Sequence, residues 1–254
     1  MNNQSSSASR KKRHVIVVGN KSRDILSLAT HLQLFGYEVS SASTAAGALE
    51  LVSASVPALI ISDVVLPGMS GMDLFDLLKH EPRTAAIPVI FMIFPTDAAA
   101  ERRCRGAGAS GCISKPIQAE ELYQAVQDAI EPRPRANIRI NARLAVLLNK
   151  VPLACPEGGC SIELSEHGMY VPTSDPYPAH RRISVQFSIK DRTISAEGSV
   201  LYRKTEPAGQ YRGPGMGLKF TRIDAQDQEY IRTYIRGEVA RGINAVLVGD
   251  AKRG

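Results

Sequence analysis

The chain has 254 residues, 44% apolar and 22% charged, with 31 Lys and Arg against 25 Asp and Glu, a formal net charge of +6. That length is generous for one hydrophobic core and comfortable for two domains, and the composition is that of a soluble globular protein. No apolar run approaches the roughly 20 residues of a membrane helix; the longest, Ile87 to Phe94, is strand-sized and contains a proline.

Residues 1–13 are polar and basic without an apolar stretch, so they read as a disordered tail and not as a secretory signal. The positive charge favours anionic partners. Its arginines cluster at 10–13, 102–105, 133–143 and 181–182, and no helix-turn-helix, finger or basic-zipper pattern accompanies them. Nucleic acid is therefore not the expected partner, and a basic mouth for a nucleotide is the simpler account. Without an export signal the four cysteines, Cys104, Cys112, Cys155 and Cys160, are expected to be reduced structural thiols. Cys155 and Cys160 could approach across the Pro156-Glu157-Gly158-Gly159 turn. A zinc site would need two more ligands, and only His167 is near, so no metal is expected.

From His14 short apolar runs alternate with amphipathic stretches. Strands are predicted at 14–18, 38–40, 58–61, 88–93 and 111–114. Helices are predicted at 24–35, 45–54, 72–79, 97–106 and 119–130. This alternation implies an α/β doubly wound parallel sheet whose function lies at the carboxyl ends of its strands. Those ends carry Gly19-Asn20, Asp63, Ile93-Phe94 and Lys115-Pro116.

Asp63, after Ile60-Ile61-Ser62 and before a Pro67-Gly68 loop, together with Lys115-Pro116 after a Gly-rich segment, resembles a response-regulator receiver domain over residues 14–131. The resemblance implies that Asp63 accepts a phosphoryl group whose oxygens Lys115 bonds. It also implies an acid pair after the first strand to hold Mg²⁺ and a hydroxyl residue at the end of the fourth strand. Here Gly19 and Asn20 stand for the acids, Ile93 for the hydroxyl, and Cys112 for an aromatic switch residue. A hard cation needs oxygen ligands, usually carboxylates, to offset the incoming charge. The domain therefore reads as a pseudo-receiver in which Asp63 and Lys115 persist as an ion pair.

After the Pro132-Arg133-Pro134 joint the rhythm changes to short extended stretches at 143–148, 161–164, 169–171, 182–187, 192–202 and 215–220, separated by Gly and Pro turns. This predicts an antiparallel β-barrel. A C-terminal helix is expected at 224–241 with Tyr230, Ile231, Tyr234 and Ile235 on one face, followed by a tail at 242–254.

Arg135 and Arg139 are four apart on the entry segment. The turn Glu163-Leu164-Ser165-Glu166-His167-Gly168 pairs a hydroxyl donor and acceptor with a glycine that lets the backbone turn tightly or a ligand approach closely. Arginine forks bond phosphate oxygens in pairs and stack on flat bases. The arginine run, the Ser-x-x-Gly turn and Gly215-Met216-Gly217-Leu218-Lys219-Phe220 resemble the PilZ domain over residues 132–241. An alternative arginine register, Arg139 with Arg143, would place Arg143 inside a strand.

The PilZ resemblance implies cyclic di-GMP as ligand, with Arg135 and Arg139 on phosphates and guanine, Glu163 and Ser165 on the base edge, and Gly168 keeping the turn open. Glu163 stands where the family has Asp or Asn. The chain is expected to be a cytoplasmic signalling effector without catalytic residues or a resident cofactor, docking a protein partner through the receiver-like domain and regulating motility or envelope polysaccharide. One alternative is an adaptor whose PilZ domain no longer binds nucleotide. The other is a phosphorelay response regulator phosphorylated at Asp63.

Overall fold

A computed structural model describes residues 13–131, 134–135, 137–154, 160–205 and 214–250. The N-terminal tail before Arg13, Pro132 and Arg133 of the joint, Cys155 with the turn after it, the 206–213 turns and the last four residues lie outside the described residues. The chain divides into two compact units, Arg13–Ile138 together with the chain from Arg236, and Arg139–Ile235.

In the first unit β1 (His14–Val18), β2 (Glu38–Ala42), β3 (Leu59–Asp63), β4 (Val89–Ile93) and β5 (Gly111–Ser114) form a parallel sheet in the order β2-β1-β3-β4-β5. The helices α1 (Ser22–Leu34), α2 (Ala45–Ala54), α3 (Gly71–His80), α4 (Ala98–Gly106) and α5 (Ala119–Ile130) connect the strands. Alternate residues of the same strands enter opposite cores, as a sheet covered on both faces requires. Ile16, Val18, Ile60 and Phe91 pack with Ala48, Leu74 and Phe75, whereas Val15, Val17, Ile61 and Ile90 pack with Leu28, Leu32, Leu122 and Val126. Each of the larger side chains contributes about 1.5–3 kcal/mol by leaving water. Helix starts follow capping chemistry: Thr44 accepts from Gly47 N–H, Ser70 and Asp73 form a reciprocal capping box, and Asp97 accepts from Ala100 N–H.

The second unit holds β6 (Ile140–Leu144), β7 (Val146–Leu148), β8 (Val151–Pro152), β9 (Cys160–Ser165), β10 (Gly168–Pro172), β11 (Arg182–Ile189), β12 (Arg192–Lys204) and β13 (Gly215–Ile223). They form an antiparallel sheet in the order β6-β9-β10-β13-β12-β11-β7-β8, curled into a half-barrel. The single strand expected at 143–148 is two. Exposed Ala145 is the corner where the chain leaves β6, paired with β9, and enters β7, paired with β11. Asn149 and Lys150, with φ of 51° and 67°, make the tight β7–β8 turn. Alternation along β11 buries Ile183, Val185, Phe187 and Ile189, and the Phe187 ring stacks on Phe220 with centroids 5.9 Å apart.

The last helix, α6 (Ala225–Asp250), buries Ile231 and Ile235 while Tyr230 and Tyr234 are half-buried. It runs nine residues beyond its expected end at Arg241. Gly242 lowers helix propensity by about 1 kcal/mol without removing a backbone donor, so it does not act as a stop. Cys104 and Cys112 are free as expected, with burial pushing the Cys104 thiol up to about 11 and leaving it an inert packing group. Cys160 departs from the reduced expectation, since it is disulfide-bonded.

Candidate functional site

Strand order reverses between β1 and β3, and the carboxyl ends of these strands carry a charged corner. Asp63, the last residue of β3, is buried, and its Oδ1 lies 2.5 Å from Lys115 Nζ. The same ammonium is 3.2 Å from Oδ2 of Asp24 in the first turn of α1. Asn20 N–H donates to Asp63 Oδ2 at 3.2 Å. The expected Asp63–Lys115 pair is thus brought together, and Asp24 completes it. Sequence reasoning missed Asp24, because an acid in a first helical turn is ordinary dipole chemistry and only the fold aims it here. Ile93 is buried, and beside it Phe94 is 54% exposed under two cations, Lys115 Nζ at 5.6 Å and Lys21 Nζ at 5.9 Å from the ring centroid.

In the second unit β9 and β10 join through Glu166 and His167, with Ser165 opposite Gly168 and Glu163 opposite Tyr170. β6 runs beside β9, pairing Ile140 with Leu164 and Asn141 with Glu163. Arg139, one residue before β6, therefore stands at the strand end next to Ser165. Glu163 alternates with buried Ile162 and Leu164, which puts it on the outer face of the sheet. Arg143 is exposed within β6 opposite Ser161, inside a strand as expected. The fold so gathers Arg139, Glu163, Ser165 and Gly168 on adjacent strands. Arg135 is half-buried in the preceding segment, outside this unit.

Ser165 is buried, and its hydroxyl donates to the Gly168 carbonyl at 3.0 Å, leaving only its lone pairs for a ligand. Glycine at 168 also has a reason in packing. A Cβ there would lie 2.1 Å from the Leu218 carbonyl oxygen and 3.2 Å from Lys219 Cα, so the close neighbour is the backbone of β13. The turn is also fastened to α6. Arg232 donates to Glu166 through Nε at 3.0 Å and Nη2 at 2.5 Å, and Gln228 Nε2 lies 3.0 Å from His167 Nδ1. This fork holds the Arg232 guanidinium more basic than usual.

Residues 15–127 match the model of the response regulator receiver domain, and residues 131–237 match that of the PilZ domain. The chain carries a receiver domain followed by a PilZ domain. It is 31% identical over 116 residues to the transcriptional regulatory protein KdpE of Mycobacterium tuberculosis, covering 46% of this chain and 50% of that one. It is 32% identical over 114 residues to the response regulator PleD of Caulobacter vibrioides, covering 44% and 25%. The chain thus spans half or less of the length of these relatives. A response regulator structure from Chloroflexus aurantiacus aligns with 47% of this chain and 98% of its own at 28% identity, with a TM-score of 0.46.

The receiver family implies a magnesium ion beside its aspartate, and the donors of this receiver domain do not fit one. Gly19 and Asn20 bring no carboxylate, and the Lys115 ammonium already sits between Asp24 and Asp63. A Cβ at Gly19 would stand 3.0 Å from Asp63 Oδ2 and 3.2 Å from Ile25 Cγ1, so a larger residue there meets the Asp63 carboxylate itself. Among the described residues no three His, Cys, Asp or Glu side chains gather as metal ligands, and no helix is long and apolar enough to cross a membrane.

Proposed function

We propose that this chain is a cytoplasmic bacterial signalling effector that binds cyclic di-GMP through its PilZ domain and docks a protein partner through a pseudo-receiver. The carrying observation is the PilZ match over residues 131–237, joined to the convergence of Arg139, Glu163, Ser165 and Gly168 on neighbouring strands. Arg135 and Arg139 grip the phosphates and stack on guanine. Glu163 bonds the base edge, and Ser165 contributes through its lone pairs. The receiver domain, its aspartate already neutralised by Lys115, serves as a docking module that needs no phosphoryl group. The output is motility or envelope polysaccharide control, and no reaction is assigned to the chain.

Calorimetric titration of the full chain with cyclic di-GMP tests the reading. A dissociation constant of roughly 1 μM or tighter, about −8 kcal/mol, is expected. Arg139→Ala should weaken it by a few kcal/mol through the loss of charged hydrogen bonds. Absence of heat at high ligand concentration favours the second reading, an adaptor acting by protein contacts alone. One feature leans that way: the Ser165 hydroxyl proton is already committed to Gly168.

A further inference from the structure

Two arginine forks hold the first turns of α6 against loops of the half-barrel. Arg192, opening β12, donates to Asp227 Oδ1 through Nε at 2.9 Å and Nη2 at 2.7 Å, and its guanidinium lies 4.9 Å from the Tyr230 ring centroid. Arg232 answers from the helix side by gripping both oxygens of Glu166, a residue of the Ser165 to Gly168 turn. Gln228, one helical turn earlier, reaches His167 of the same turn. Two consecutive residues between Ser165 and Gly168 are therefore held by one face of α6. Buried Ile231 and Ile235 secure the helix by apolar packing, so the polar fork is not what keeps it in place. The helix then continues to Asp250, past the end of the half-barrel unit at Ile235.

We propose that Glu166 and Arg232 are positioning residues that make α6 the reporter of the ligand turn. This rests on the cyclic di-GMP reading and names its output. A ligand on Arg139, Glu163 and Ser165 restrains the β9–β10 turn. The bidentate fork is planar and directional, so it passes a change in the orientation of Glu166 to the helix as few single hydrogen bonds could. A site and a response element coupled in this way share a free energy that acts in both directions: what restrains the turn steadies α6, and what releases α6 loosens the turn. Neither Glu166 nor Arg232 belongs to the proposed ligand set.

The test is amide hydrogen exchange of the full chain with and without cyclic di-GMP, alongside calorimetric affinity, for wild type, Arg232→Met, Glu166→Gln and the charge exchange Glu166→Arg with Arg232→Glu. In wild type the ligand should slow exchange at least fivefold at amides of α6 from Glu229 to Arg241. In Arg232→Met the ligand should still bind within about tenfold of wild type while the α6 response disappears; Glu166→Gln, nearly isosteric, should halve it if Arg232→Met proves unstable. The charge exchange should restore the response, which a loss of packing would not. Wild type that binds the ligand without slowing α6, or Arg232→Met that retains the full response, overturns the proposal and leaves the binding reading intact. Wild type that gives neither heat nor slowed exchange in residues 163–168 overturns both.

Discussion

The Asp63 corner of the receiver domain and the Ser165 turn of the PilZ domain use the same chemistry to opposite ends. In each a cation fork or ammonium is shared with carboxylates from a neighbouring helix or strand. At Asp63 the pairing turns inward: Lys115 and Asp63 have side chains only about a tenth exposed, and Asp24 joins them, so the charges satisfy one another. At the turn the pairing is lateral: Glu166 is tied to Arg232, while Glu163 stands on the outer face opposite Asn141. The difference is the direction of the pairing: at Asp63 two carboxylates close on one ammonium inside the domain, whereas at the turn a guanidinium on α6 closes on Glu166 from the side.

The largest expected effect strikes the turn. Gly168→Ala would drive a methyl into the Leu218 carbonyl of β13, 2.1 Å away, with only backbone to move aside. Losses of more than about 4 kcal/mol belong to such clashes. Urea denaturation should show the PilZ transition lowered by that order or absent. A loss below about 1 kcal/mol would mean that the strand is not where it is described.

At the other corner Lys115→Met leaves two carboxylates, Asp63 and Asp24, without their shared ammonium. Breaking a buried pair in this way costs about 3–5 kcal/mol. Asp63→Asn should cost less, since Lys115 keeps Asp24. Equal costs would argue that Asp24 takes no part. Incubation with acetyl phosphate and Mg²⁺ followed by intact-mass measurement should give no phosphoryl adduct, and an adduct lost in Asp63→Asn would reinstate the phosphorelay alternative.

These contrasts explain what was legible in the chain itself. The receiver fold is readable because short apolar runs alternate cleanly with stretches of period 3.6, and four elements, β1, α2, β5 and α5, fall on their expected bounds. The Arg143 to Leu148 run read as one strand because a corner at Ala145 interrupts hydrogen bonding without interrupting apolar character. Asp24 could not be found by spacing, since its role depends on Lys115 arriving from a strand 91 residues away. Gly168 stands out in sequence, but its packing against β13 does not. A sequence marks that a position rejects a side chain; only the packed sheet tells that the obstacle is β13.

A smaller effect probes Glu163. It carries one methylene more than the family's Asp, which displaces the carboxylate by roughly one bond length from where an Asp would hold it. Glu163→Asp should tighten cyclic di-GMP binding about tenfold, near 1.4 kcal/mol, by calorimetry. Unchanged affinity would show that Glu163 does not touch the ligand.

The smallest effect involves neither corner and serves as their control, because it is set by acid. His31, in α1, is 1% exposed, and its Nε2 lies 3.1 Å from the Val239 carbonyl. Burial holds this imidazole below its ordinary value of 6.5. The folded chain therefore resists a proton that the unfolded chain accepts. Below pH 6.5 the unfolded state binds more protons, so stability falls as pH drops from 6.5 toward the lowered native value, and is unaffected above it. The thermal midpoint should fall as the pH is lowered from 7 to 5.5. His31→Gln, which keeps an N–H for Val239 without a titrating ring, should lose that component of the decline while leaving the cyclic di-GMP affinity and the acetyl phosphate result unchanged. A decline of the same size in His31→Gln would assign the acid sensitivity to other groups, and the two charged corners would be the first to test.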